Sequence, residues 1–238
     1  MDAEVADAAM LFADPTRAKV IEALLGGHSA SAGELARRAG VSPATASAHL
    51  RRLLDADAVS LEAKGRHRYY RLRDARVARA FEALAAMAPP ARDRDAPHRR
   101  VAADLRFARR CYDHLAGVAG VRIAESLARR KIVVNDHGTY RVSARGSAFF
   151  DSIGIDVAAL EASRRSFGFP CLDWSEHTHH VAGALGAALL AELRARGWVT
   201  PKPASRALQM TAAGLEGLQA FFGVSLEDDA RALGLPAR

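Results

Sequence analysis

Residues 31–58 read SAGELARRAGVSPATASAHLRRLLDADA, and this stretch decides the fold of the first part of the chain. Ser31 is followed three residues later by Glu34, the spacing of a capping box in which each side chain serves the other's backbone N–H. The short helix it opens, GELARRAG, stops at Gly40, because glycine enters the left-handed region without a Cβ penalty. A tight turn then reaches Ser42-Pro43, a second cap with proline at the first helical position. The next helix runs through ATASAHLRRLLDA. Two short helices joined by a glycine-containing turn of three or four residues make a helix-turn-helix.

Outward from this stretch the pattern stays regular. Upstream, Asp14-Pro15 caps and opens TRAKVIEALL, whose apolar face is Val20, Ile21, Leu24 and Leu25 and whose stop is Gly26-Gly27. Downstream, VSLEAKGRHRYYRL alternates polar and apolar residues around Lys64-Gly65, the signature of a β-hairpin with a basic tip. A further helix, DARVARAFEALAAMA, carries Val77, Phe81, Leu84 and Ala88 as a narrow apolar stripe. Pro89-Pro90 ends it, and ARDRDAPHRR, without apolar periodicity, reads as a linker.

Composition narrows the function classes. A chain of 238 residues, 50% hydrophobic and 26% charged, is one large domain or two modest ones, and dominant disorder is excluded. The longest uncharged apolar run, Val181 to Ala191, is far short of the roughly 20 residues a membrane-spanning helix needs. The opening MDAEVADAAM is acidic where a signal peptide would be basic, so a cytoplasmic protein with no membrane partner is expected. Two cysteines allow at most one disulfide, and reduced thiols are the expectation. The net charge of +7 hides a local excess: residues 37–79 hold 11 Lys/Arg against four acids, the place where a polyanion would sit.

In order and in residues, DPTRAKVIEALL, ELARRAGVSPATASAHLRRLLDADAV and KGRHRYYRL resemble the ArsR family of bacterial repressors, over roughly residues 5–88. The resemblance implies a winged helix-turn-helix, a homodimer joined through terminal helices, and binding of double-stranded operator DNA released by an inducer. Ser42, at the start of the recognition helix, is placed to hold a phosphate. Thr45, Ser47 and His49 are the polar candidates for base readout on its first turns, where small Ala44 and Ala48 permit close approach. Arg51 and Arg52 sit a turn further along, as backbone clamps, while Leu50, Leu53 and Leu54 face the core. The wing offers Lys64, Arg66, His67 and Arg68 for phosphate or minor-groove contact. The family's common metal sites do not carry over. Where a Cys-x-Cys-type pair would precede the turn, the chain reads Glu34-Leu35-Ala36-Arg37-Arg38, and the dimer helix has Asp74 and Glu82 without a histidine. Any sensor therefore lies in the second half.

That half repeats itself. Residues 111–156 and 171–226 share a pattern in which His114-Leu115-Ala116-Gly117 matches His180-Val181-Ala182-Gly183, and Arg145-Gly146 matches Ala213-Gly214. Each copy reads as a helix with small residues along one side, a short strand pair and a further helix, suggesting an internal duplication. Gly117, Gly120, Gly183 and Gly186 would let the two long helices touch. Cys111, Asp113 and His114 head one copy; Cys171, Asp173, Trp174, His177, His179 and His180 head the other. Should the heads meet, the group suits zinc, or brackets a small-molecule pocket walled by Trp174, or forms a thiol switch, or is plain packing and capping. This half also resembles the long two-domain ArsR-type regulators with paired Cys-x-Asp motifs, CYDHLAG and CLDW here.

The expected fold is mainly α with short β-hairpins: an N-terminal winged helix-turn-helix over 1–88, a linker over 89–98, and a duplicated, effector-sensing α+β domain over 99–238. The expected function is a homodimeric DNA-binding transcriptional regulator that needs no cofactor to bind DNA and answers to a small molecule or a metal. The competing reading is an enzyme that uses the Cys/His/Asp group and carries a DNA-binding appendage. Against it, the chain has no glycine-rich phosphate loop, nucleophile elbow or HExxH.

Overall fold

The caps start the helices of the first unit. In the computed structural model, which describes residues 5–25, 29–64, 67–88, 103–202 and 205–235, the chain divides into two units, Met1–Leu84 and Ala85–Arg238. Helix α1 spans Val5–Ala13 and α2 spans Pro15–Leu24. Between them Asp14 accepts from the backbone N–H groups of Thr16 and Arg17, at 2.9 Å each. The buried Arg17 donates back to the last carbonyls of α1, at Met10 and Leu11, so the two helices close each other's ends. Strand β1 is Ala30–Ser31, and α3 (Ala32–Ala39) follows under the full Ser31/Glu34 capping box. Gly40, at φ 72°, ends it, and Ser42 caps α4 (Pro43–Asp55) by accepting from Thr45 N. Strands β2 (Val59–Lys64) and β3 (His67–Leu72) form the wing, with β1 added on the far side of β3 in an antiparallel order β1-β3-β2. Helix α5 (Ala75–Met87) closes the series.

The core of this unit is Val20, Ile21, Leu24, Leu35, Ala46, Leu50, Leu53 and Leu72. Leu54, expected beside them, is only half-buried. On α5 the deeply buried residues are Ala78 and Glu82, whereas Val77 and Phe81 are half-buried and Leu84 is exposed. The stop expected at Gly26-Gly27 and the linker expected over 89–98 lie outside the described residues.

The second unit runs through one order of elements twice. After α6 (Ala103–Phe107), the hairpin β4 (Arg109–Arg110) and β5 (Leu115–Ala116) leads into α7 (Val118–Arg129). The hairpin β6 (Val133–Asp136) and β7 (Thr139–Val142) then leads into α8 (Ala144–Ser152) and α9 (Val157–Glu161). The second pass is β8 (Phe169–Leu172), β9 (His179–Ala182), α10 (Gly183–Ala195), β10 (Val199–Pro201), β11 (Leu208–Met210) and α11 (Ala212–Gly217), with a π-helical turn at Leu218–Phe222 and a last helix, α12 (Glu227–Ala232). Leu127, Ile132, Phe150, Leu185, Leu218 and Phe222 centre a continuous apolar core. Among the described residues no helix is long and apolar enough to cross a membrane.

Each helix packs on both hairpins: α7 on β9 and β5, α10 on β5 and β9. Two glycines make this possible. A Cβ on Gly120 would stand 2.6 Å from Leu115 O and 3.5 Å from His180 Cβ, and one on Gly186 would stand 2.3 Å from Val181 O and 3.1 Å from His114 Cβ. These two glycines thus sit against hairpin carbonyls and a histidine of the other hairpin, and Gly120 and Gly186 also line one small void between the two helices. Gly186→Ala is accordingly expected to destabilise the second unit by about 1–3 kcal/mol, the usual cost of overpacking. Chemical denaturation checks it against Gly33→Ala, whose Cβ would meet only Arg37 Nη1 at 3.9 Å. Equal stability of the two variants would refute the packing role.

Candidate functional site

The first candidate site is the outer face of α4. Ser42, Thr45, Ser47, Arg51 and Arg52 are exposed, because the helix turns Ala46, Leu50 and Leu53 inward. The Ser42 hydroxyl lies 2.8 Å from that of Thr45, and Ser47 donates to Pro43 O at 2.8 Å. Small hydroxyl residues therefore front the helix without projecting far from it. Arg68, on the wing, is exposed. Arg66 lies outside the described residues, and the side chains of Lys64 and His67 are likewise not described. His49, the third residue expected at base edges, is half-buried. Its side chain is 16% exposed, and Nδ1 lies 3.6 Å from Asp14 Oδ1 at the cap of α2. The spacing explains it: position 49 follows buried Ala46 by three and precedes buried Leu53 by four, which puts it on the core edge of α4.

The second candidate site is where hairpins β4–β5 and β8–β9 meet. Cys111 and His114 come from the turn of the first hairpin, Cys171 and His180 from paired positions on the two strands of the second. All four are buried, and one ligand atom from each lies within 4.8 Å of all the others. The two cysteines are not joined in a disulfide, and Ala116 and Ala182 pack about them. The imidazoles face one another through Nε2, 3.1 Å apart.

Each imidazole has a carboxylate behind it. His114 Nδ1 lies 3.2 Å from Asp113 Oδ1, and His180 Nδ1 lies 3.2 Å from Asp173 Oδ2. Burial pulls the His180 imidazole down, but Asp173 and Cys111 more than offset this and raise it to about 9. His114 is raised too, burial being outweighed by Cys111 and Asp113. Asp113 is held low, burial being outweighed by His114 and Arg165. Asp173 is fully buried, and its carboxyl is held well below the usual carboxylate range: burial alone would raise it, and His180 and Arg109 reverse that.

Of the residues singled out at the heads of the two copies, the structure thus brings Cys111, His114, Cys171 and His180 together and sets Asp113 and Asp173 behind the imidazoles. His177 and His179 are exposed and outside the group. Trp174 stacks under the Arg109 guanidinium, 4.8 Å from its ring centroid. A separate cavity of about 370 Å³ is lined by Phe107, Leu208, Met210 and Leu226, with Lys202 paired to Asp104 at its side. Arg109 was missed by sequence reasoning. Its guanidinium is fully buried and donates to Asp173 Oδ1 at 2.7 Å and to Ser175 Oγ at 2.9 Å. No local pattern marks this pair, whose members are 64 residues apart.

A helix-turn-helix domain family matches residues 12–62. Over 226 residues the chain is 39% identical to the HTH-type transcriptional regulator YdfF of Bacillus subtilis (strain 168), an alignment that covers 95% of this chain and all of that protein. Among solved structures, NolR from Sinorhizobium fredii is 25% identical with a TM-score of 0.33, covering 35% of this chain and 82% of its own. The transcriptional repressor BigR from Xylella fastidiosa is 27% identical with a TM-score of 0.33, covering 36% and 87%.

Proposed function

The chain belongs to the HTH-type transcriptional regulators, and from that premise we propose that it binds its operator as a cytoplasmic homodimer, reads bases with the front of α4, and takes an effector in its second unit. The observation that carries the DNA reading is the exposure of Thr45 and Ser47 on the front of α4, with Arg51 and Arg52 one turn on and Arg68 on the wing. Base edges would be read by the hydroxyls and phosphates held by the arginines. The repeated order of the second unit supports an internal duplication. Its apolar cavity, within the roughly 300–1,000 Å³ usual for ligand pockets, supports a small-molecule effector. Such a ligand changes DNA affinity only by favouring one of two dimer states. Closure of the Cys/His group, at 0%, 3%, 6% and 0% exposure for Cys111, His114, Cys171 and His180, leaves a substrate no approach to a thiolate and weighs against the enzyme reading.

The test uses an operator selected from random-sequence DNA. Thr45→Ala with Ser47→Ala is expected to weaken operator binding by roughly tenfold or more, in keeping with about 1–3 kcal/mol per good base contact. Binding to random DNA should change little. Arg68→Ala should weaken both and reduce the salt slope by about 0.9, one phosphate's worth. Equal losses on operator and random DNA for the helix pair would remove α4 from base readout.

A further inference from the structure

We propose that Cys111, His114, Cys171 and His180 form a tetrahedral site for a single zinc-class divalent cation that ties the two hairpins of the second unit together. The site stands independently of the operator reading. Four donors of the types zinc prefers come from two separate hairpins and converge in a buried space. The imidazoles make the strongest argument. A carboxylate lies 3.2 Å from each Nδ1, and the two Nε2 atoms face one gap, 3.1 Å apart. A proton shared in that gap, or a cation that displaces it, is what lets two ring nitrogens stand so close. Two nitrogens bound to zinc at 2.0–2.1 Å with a tetrahedral angle stand about 3.3 Å apart, so the gap has the width that such an ion requires.

Charge and chemistry agree. A dication with two thiolates is neutral, which makes burial of the whole group tolerable where separate charges would not be. Two sulfurs and two imidazole nitrogens in a tetrahedron select zinc over magnesium, calcium or manganese, which favour oxygen. Carboxylates behind ligating imidazoles orient them and raise their basicity, as Asp113 and Asp173 are placed to do. On binding, the thiol protons, and any proton held between the two Nε2 atoms, pass to solvent, leaving both sulfurs as thiolates. No coordination position remains for substrate or water, so the ion's part is to hold structure.

The experiment titrates full-length protein, stripped with chelator under reducing conditions, with Zn²⁺ and separately with Co²⁺. Expected is saturation at one equivalent per chain, with Co²⁺ giving the intense visible bands and near-ultraviolet sulfur charge-transfer absorption of a tetrahedral thiolate site. Cys111→Ser and Cys171→Ser should abolish that absorption. Asp113→Asn should keep the spectrum but weaken affinity by about 10–100-fold, and exposed His177→Ala should match the parent protein. If the cysteine variants fail to fold, the parent protein and Asp113→Asn decide. Folded parent protein that takes up no equivalent, or that gives only a weak spectrum without sulfur charge transfer, overturns the site. So does a metal-free protein whose native state carries a Cys111–Cys171 disulfide.

Discussion

Replacing Asp173 with alanine is expected to lower the stability of the second unit by about 3–5 kcal/mol, the usual cost of leaving a buried charge without its partner. The carboxylate is fully buried and almost every lone pair is used. Oδ1 accepts from Arg109 Nη2 at 2.7 Å, from Ser175 N and Oγ, and from Glu176 N; Oδ2 accepts from Gly117 N at 2.7 Å and lies 3.2 Å from His180 Nδ1. One side chain thus joins the start of α7, the turn after β8 and the Cys/His group. Truncation leaves the buried Arg109 charge without its carboxylate and the amide of Gly117 without its acceptor. At about 2–4 °C per kcal/mol for a unit of this size, the midpoint should fall by roughly 6–20 °C. A double-mutant cycle separates pair from packing: Asp173→Ala with Arg109→Ala should cost clearly less than the sum of the singles, with a coupling of about 0.5–3 kcal/mol. Additive losses, or a single loss below about 1 kcal/mol, would show that the pair does not hold the unit together.

The contrast between Asp173 and Ser31 shows what a sequence discloses. Ser31 and Glu34 act across three residues, so their capping box is written in the spacing, as are the caps at Asp14 and Ser42. The wing is legible for the same reason: six-residue strands alternate long enough to show a period of two. Hairpins β4–β5 and β8–β9 have strands of two and four residues, too short for any period to emerge. The Cys and His residues were therefore visible as a composition at the head of each copy, while the hairpins that carry them were not. Helix α1 carries no such sequence signal, since the residue before Val5 is Glu4 and no proline follows in its first turn. At His49 residue type and helix angle point apart: the type suits base readout, while the spacing from Ala46 and Leu53 marks a core-edge position beside Asp14. The pairing of Arg109 with Asp173 was beyond reach, since a buried pair formed across two hairpins leaves no mark on either one's neighbours.

The same attention to angle bears on where a dimer seam would lie. The expected stripe was Val77, Phe81 and Leu84, yet Val77 and Phe81 are half-buried within the chain, Phe81 lying 6.4 Å from the ring of Phe12 on α1. Apolar residues left in water on the two terminal helices include Leu84 and Met87 on α5, 42% and 80% exposed, and Val5 and Met10 on α1, 70% and 60% exposed. A hydrophobic face at the terminal helices is what a symmetric partner would cover. Met10→Asp combined with Leu84→Asp is therefore expected to give monomers, since it places two charges, repeated by symmetry, in one apolar seam. Neither residue lies on α4 or the wing, so each monomer should keep a folded DNA-binding unit and its weak affinity for a half-site. What it loses is the second recognition helix held one DNA turn away, about 34–36 Å. With that tether gone, operator affinity should fall by roughly 10²–10⁴-fold while random-DNA binding per chain changes far less. Sedimentation velocity and a binding titration on palindromic and half-site DNA read the two effects separately. A double variant that remains dimeric with undiminished operator affinity would place the seam elsewhere in the chain. A monomer that still binds the palindrome as tightly as the parent protein would remove dimerisation from the mechanism of recognition altogether.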